Sequence, residues 1–105
     1  MNHEKILQLD PIIHAPIRLT ILSVLITVEN ANFTYLKEAT VTTDGNLSTH
    51  LVKLEANGLI TIKKRFKGKK PQTICAITEK GRNAFIKYLD QLEQIIHMQK
   101  KIKHN

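Results

Sequence analysis

The stretch TDGNLSTHLVKLEANGLI, residues 43–60, carries the pattern around which the rest of the chain is arranged. Leu47, Leu51 and Leu54 recur at helical spacing, and Gly58 stands just past the last periodic residue, where glycine ends a helix at little steric cost. The spacing predicts a helix from about Asp44 to Asn57. On a wheel of about 100° per residue the three leucines share one side. Gly45, Thr49, Val52, Lys53 and Ala56 lie opposite them, with Asn46 beside Lys53.

Upstream, PIRLTILSVLITVE begins at Pro16 and places Ile17, Ile21, Val24 and Leu25 at helical spacing. Leu22 and Ile26 widen that stripe, so this first helix is expected to be largely buried. Asp10-Pro11 and Ala15-Pro16 both read as helix starts, because proline at the first helical position loses no hydrogen bond. Asn30, Asn32 and Thr34 supply turn and cap chemistry, and the short helix YLKEAT follows, with Leu36 and Ala39 inward. Downstream, LITIKKRF alternates at Ile60 and Ile62, KGKK turns at Gly68, and QTICAIT returns with Thr73, Cys75 and Ile77 on one face. Thr78 then caps a long last helix.

Two short helices joined by a tight turn and followed by a hairpin make the winged helix-turn-helix plan. The expected fold class is therefore mainly α with a two-stranded β-hairpin. A single domain over residues 1–105 would hold the helix-turn-helix at about 33–57, the wing at about 59–78 and a long helix at about 79–103.

The charge is concentrated. The net charge is +7, and residues 61–70 (TIKKRFKGKK) hold six basic side chains and no acidic one. Outside that segment ten Lys and Arg face nine Asp and Glu, so the remainder is nearly neutral. Such a cluster is the electrostatic footprint of a polyanion partner. On the outer face of the 44–57 helix, Asn46 can pair with an adenine edge and Thr49 can bond a base or offer its methyl to thymine. Lys53 can reach guanine or phosphate.

TDGNLSTHLVKLEANGLI resembles the recognition-helix segment of the MarR and ArsR families of repressors. The run Ser48, His50, Leu51, Leu54, Gly58, Leu59 and Ile60 is especially ArsR-like. HAPIRLTIL, FTYLKEAT, TDGNLSTHL and AITEKGR, in that order, are similar to small stand-alone winged-helix regulators, and the resemblance runs from His14 to about Leu92. It implies a regulator that binds double-stranded DNA, with base or backbone contacts from Ser48 and His50 as well. It also implies a wing, here Arg65, Lys67, Lys69 and Lys70, along the phosphates or in the minor groove. Phe66, an aromatic at the wing, could stack on a base, but the expectation is that it packs beneath the hairpin.

The last helix repeats apolar residues near every 3.5 positions, which is a coiled-coil-like seam. Phe85, Leu89, Leu92, Ile95 and Ile96 form its centre, with Tyr88 beside them and Ile102 beyond. The family arrangement implied is a homodimer through this helix, with ILQLDPII alongside. The alternative is that the stripe folds back on the first helix of the same chain.

Other classes fit poorly. No Gly-rich phosphate loop, nucleophile–base pair or carboxylate pair signals an enzyme. A metal- or redox-sensing repressor of the same fold would need clustered ligands or a reactive thiol. His97 and His104 are separated by about 10.5 Å of helix, and Cys75 sits on an inward strand face, so neither a metal site nor a cofactor is expected. A protein-interaction module has no use for the uncompensated wing charge, and five aromatics are few for an RNA-stacking platform. No run is long and apolar enough for a membrane span and no signal peptide is evident, so the expected compartment is the cytoplasm. Nothing indicates a small-molecule effector, which would have to sit at the dimer interface.

Overall fold

The computed structural model describes residues 3–103, with side chains to Lys101. His104 and the Ile102 side chain, both weighed above, lie outside the described residues. One turn, α1 (Glu4–Leu7), leads to Asp10, whose carboxylate accepts from the Ile12 backbone N–H at 2.8 Å. That bond makes Asp10-Pro11 a turn rather than the helix start expected from its proline. Helix α2 (Pro16–Leu25) does begin at its proline and buries Ile21, Leu22 and Leu25.

The sheet has three strands, not the two of a bare hairpin. Ala31 and Asn32 form β1, which pairs antiparallel with β3 through Ala31↔Cys75 and Asn32↔Ile74. Two residues are too few for a periodic signal, so only the pairing partner defines this strand. Asn32 is also the N-cap of α3 (Phe33–Thr40), accepting from the Tyr35 N–H at 2.8 Å. Leu36 is fully buried on α3, but Ala39, expected inward, is exposed.

Helix α4 (Asp44–Ala56) is capped by Thr43, and its inward leucines are those of the sequence pattern, Leu47, Leu51 and Leu54. Strands β2 (Ile60–Lys67) and β3 (Lys70–Ile77) form the hairpin, in the sheet order β1-β3-β2. Gly68 turns it with φ 66°. The core joins Leu9, Ile13, the α2 and α4 apolar residues, Leu59, Ile60 and Cys75 to Phe85 and Tyr88 of α5 (Glu79–Lys103).

The start of α5 is locked onto the α4–β2 junction. The Thr78 hydroxyl accepts from the Gly81 N–H at 2.9 Å and donates to the Gly58 carbonyl at 2.6 Å. Gly81 lies so close that a Cβ there would stand 2.0 Å from the Leu59 carbonyl oxygen. Only glycine allows this approach.

The turn between α3 and α4 rests on a strained residue. Val41 takes the left-handed conformation (φ 50°, ψ 53°), which crowds a β-branched side chain, and it is 90% exposed, so little packing compensates. Val41→Gly should therefore raise stability by about 1 kcal/mol, read as a higher midpoint in urea unfolding. An unchanged or lower midpoint would show that the valine side chain stabilises the turn.

Candidate nucleic-acid interface

The outer face of α4 is as open as its residue pattern implies. Asn46, Ser48, Thr49, Val52 and Lys53 are all exposed, whereas every residue on the opposite stripe is buried. Gly45 has nothing within 4 Å of a would-be Cβ, so the first turn presents backbone almost bare. The helix is held for presentation by the Lys37–Asp44 ion pair at 2.7 Å, which ties α3 to the first turn of α4.

Local hydrogen bonds decide what each side chain still offers. The Thr49 hydroxyl donates to the Gly45 carbonyl at 3.0 Å, which leaves its methyl and its acceptor lone pairs for a ligand. The Asn46 amide donates to the Thr42 hydroxyl at 2.8 Å, which orients the amide across the entrance to the helix. Among the described residues Lys53 has no ion-pair partner, and Ser48 lies on the flank of the face away from His50.

His50 is half-buried on the other flank, where its Nδ1 lies 3.1 Å from a guanidinium nitrogen of Arg18. Arginine has no acceptor, so it must donate, Nδ1 must accept, and the imidazole proton resides on Nε2. Burial, with Arg18 and then Lys53 adding repulsion, holds the His50 pKa below its usual value of 6.5. His50 is therefore set as a neutral donor. Arg18 also donates to the carbonyls of Ile12 and Pro11, so one side chain joins the N-terminal turn, α2 and α4. The sequence reading missed Arg18; the available signal was a lone cation inside the otherwise apolar run PIRLTIL.

The wing is the second surface. From Lys63 to Lys70 every residue is exposed, and among the described residues no carboxylate pairs with a wing cation. Lys67 and Lys70 face each other across the strands, an arrangement of like charges that costs stability. Lys67, Lys69 and Lys70 surround the tip. Arg65 is separate from them: with Tyr35, Asn30, Asn32 and Ile74 it lines a hollow of about 300 Å³ at the β1 edge. Phe66 is not packed beneath the hairpin but is 75% exposed, because the core ends before the strands do.

The α5 stripe divides. Phe85 and Tyr88 are buried in their own chain, and the Tyr88 hydroxyl is 2.7 Å from His14 Nδ1. Phe85 is thus a core residue of its own chain, with little surface left to offer a partner. Leu92 and Ile95 are half-buried against the same core, while Leu89 and Ile96 are 43% and 46% exposed. The Cys75 thiol is fully buried, and desolvation, with a smaller contribution from Glu55, pushes its pKa up to about 11. It is protonated and shielded. Among the described residues no three His, Cys, Asp or Glu side chains converge as a metal site would require, and no helix is long and apolar enough to cross a membrane.

A family model, the winged helix DNA-binding domain, matches residues 17–96. The chain belongs to that family. This winged-helix protein is 42% identical over 84 residues to an uncharacterized protein of Methanocaldococcus jannaschii, covering 80% of this chain and 91% of the relative. A transcriptional regulator homologue from Pyrococcus horikoshii superimposes with a TM-score of 0.85 at 28% identity, over 91% of this chain and 97% of that one. A MarR-family regulator from Enterococcus faecalis shares the fold, with a TM-score of 0.69 at 18% identity over 99% and 90% of the two chains. The fold is that of small winged-helix regulators.

The His50 geometry makes a prediction about acidity. Because its folded pKa is depressed, the contribution of neutral His50 to stability is complete above about pH 6.5 and is lost as pH falls below that value. By NMR titration His50 should have a midpoint below 6.5, and Arg18→Met should move it upward. A midpoint unmoved by that substitution would show that Arg18 does not set the protonation state.

Proposed function

We propose that this protein is a homodimeric, sequence-specific regulator of transcription that acts as a repressor in the cytoplasm. Its recognition helix α4 would lie in the major groove, with the wing on the backbone. One observation carries the reading: a bare helix face bearing Asn46, Thr49 and Lys53 stands beside a wing whose cations have no ion-pair partner among the described residues. Phosphates relieve the repulsion among Lys67, Lys69 and Lys70, whereas the α4 side chains match base edges. Ser48 and His50 would contact the flanks of the groove. A purely protein-binding or RNA-binding module finds no support in an α4 face shaped this way. Arg65, facing the β1 edge, would contribute to the general positive field more than to the tip.

Pairing supports selectivity, because one small domain contacts too few base pairs to choose a site among ~10⁶ or more alternatives. The surface best suited to it differs from the stripe centred on Phe85. Ile86, Leu89 and Ile96, all at least 43% exposed, lie within about 80° on one flank of α5. Half-buried Leu92 and Ile95 would form the edge of that seam. Ile6 and Leu7 of α1, which packs on α5, are exposed as well. We take this combined surface as the dimer face, and any effector would have to bind there. Selection of bound sequences from a random duplex library tests the whole reading; recovery of no shared motif would overturn it.

Two predictions separate the parts. Alanine at Lys67, Lys69 and Lys70 should weaken binding to every duplex and flatten its salt dependence, each lost phosphate contact removing about 0.9 from the logarithmic slope. Thr49→Ala or Lys53→Ala should instead cost roughly 1–3 kcal/mol on the selected site only. Competition assays across salt concentrations check both, and wild-type preference in the α4 variants would place the reading face elsewhere.

The dimer is tested by Leu89→Glu with Ile96→Glu, which charges the exposed flank without entering the core. Sedimentation should show a dimer become a monomer of 12.0 kDa with native helicity and poor operator affinity. A parent protein that sediments as a monomer at micromolar concentration and still binds tightly would end the dimer model.

A further inference from the structure

The wing holds one feature that phosphate binding does not use. Phe66 is 75% exposed, and directly opposite it in the ladder is Pro71, also exposed. The last residue of β2 that is not exposed is Ile62, so Phe66 sits roughly 13 Å further along the strand, beyond the reach of the core. Opposed residues of an antiparallel pair point to the same side, which makes Phe66 and Pro71 one apolar ridge. One ladder pair beyond it are Lys67 and Lys70, then Lys69 in the turn, and Lys64 stands two residues before it on the same sheet face. A water-exposed phenyl ring with Lys64 on its own face and the tip cations one position on is poorly matched to a protein surface, whose apolar patches would strand those charges. It is well matched to duplex DNA, where phosphates receive the lysines and the stacked bases offer the only apolar interior.

We propose that the Phe66–Pro71 ridge is a wedge that the wing drives between base pairs in the minor groove, so that the protein kinks its site. Proteins that deform DNA from this groove use such side chains, Phe and Pro among them, to unstack a step. The wedge would also add selectivity without hydrogen bonds, because TA and CA/TG steps unstack at the least cost. This rests on the DNA-binding reading above but goes beyond it, assigning to the wing tip a deformation that charge alone does not produce.

The test uses duplexes recovered from the random library, labelled at both ends for energy transfer, with 2-aminopurine at the step nearest the wing. The full chain should bend the duplex and raise the 2-aminopurine fluorescence. Phe66→Ala, at an exposed site that leaves the fold intact, should abolish both signals and weaken binding roughly 5- to 150-fold, the range for truncating a base-stacking aromatic. Its salt slope should stay unchanged, and Phe66→Leu should retain part of the bend. A parent protein that binds with steep salt dependence but leaves the duplex straight overturns the wedge and spares the DNA-binding reading. Equal bending by Phe66→Ala overturns it too, and failure to bind any duplex overturns both.

Discussion

The close approach of α5 to the α4–β2 junction is the contact on which the rest of the arrangement depends. Gly81 has no Cβ, so the first turn of α5 rests against the Leu59 carbonyl, and Thr78 bonds the Gly58 carbonyl while capping the helix. Gly58 itself ends α4 in the left-handed conformation (φ 73°). Recognition helix, wing and terminal helix thus leave one small knot of backbone. None can rotate without breaking hydrogen bonds that are shared with the others, and the geometry of a DNA-reading surface is tied to that of the α5 flank.

Helix α4 and the wing differ in how much of each is anchored to the core. Helix α4 is buried along three leucines, capped at Thr43 and joined to α3 by the Lys37–Asp44 pair, so its outer face has a defined orientation on the domain. The wing has no core beneath its outer half, and its cations repel one another. Long-range attraction needs only charge and tolerates a mobile support. Base contacts are lost over fractions of an ångström and need the braced helix. Arg18 adds a second brace, fastening the flank of α4 at His50 to the N-terminal turn that packs near α5.

The N-terminal turn is fastened on both sides. Arg18 reaches the Pro11 and Ile12 carbonyls, and the neighbouring His14 holds the buried Tyr88 hydroxyl of α5. Two side chains thereby join α4 and α5 to the same N-terminal turn.

Much of this was legible in the residue order. Helical spacing of Leu47, Leu51 and Leu54, proline at the start of α2, glycine at 58 and 68 and the cap at Thr78 are local signals, set by backbone sterics and by side chains within a turn of one another. The six wing cations needed only counting. What the order of residues left open depended on which surfaces meet. Ala31 and Asn32 became a strand because β3 lay beside them. Phe85, Tyr88, Leu89 and Ile96 share one hydrophobic period, yet only the packing of α5 on its own core sent the first two inward and left the last two at the surface. Arg18 and His50 are 32 residues apart and are joined by the crossing of α2 and α4. Phe66 looked like core by its chemistry and is exposed because the hairpin outruns the domain. Periodicity records how often an apolar face recurs; only tertiary structure determines where the matching surface ends.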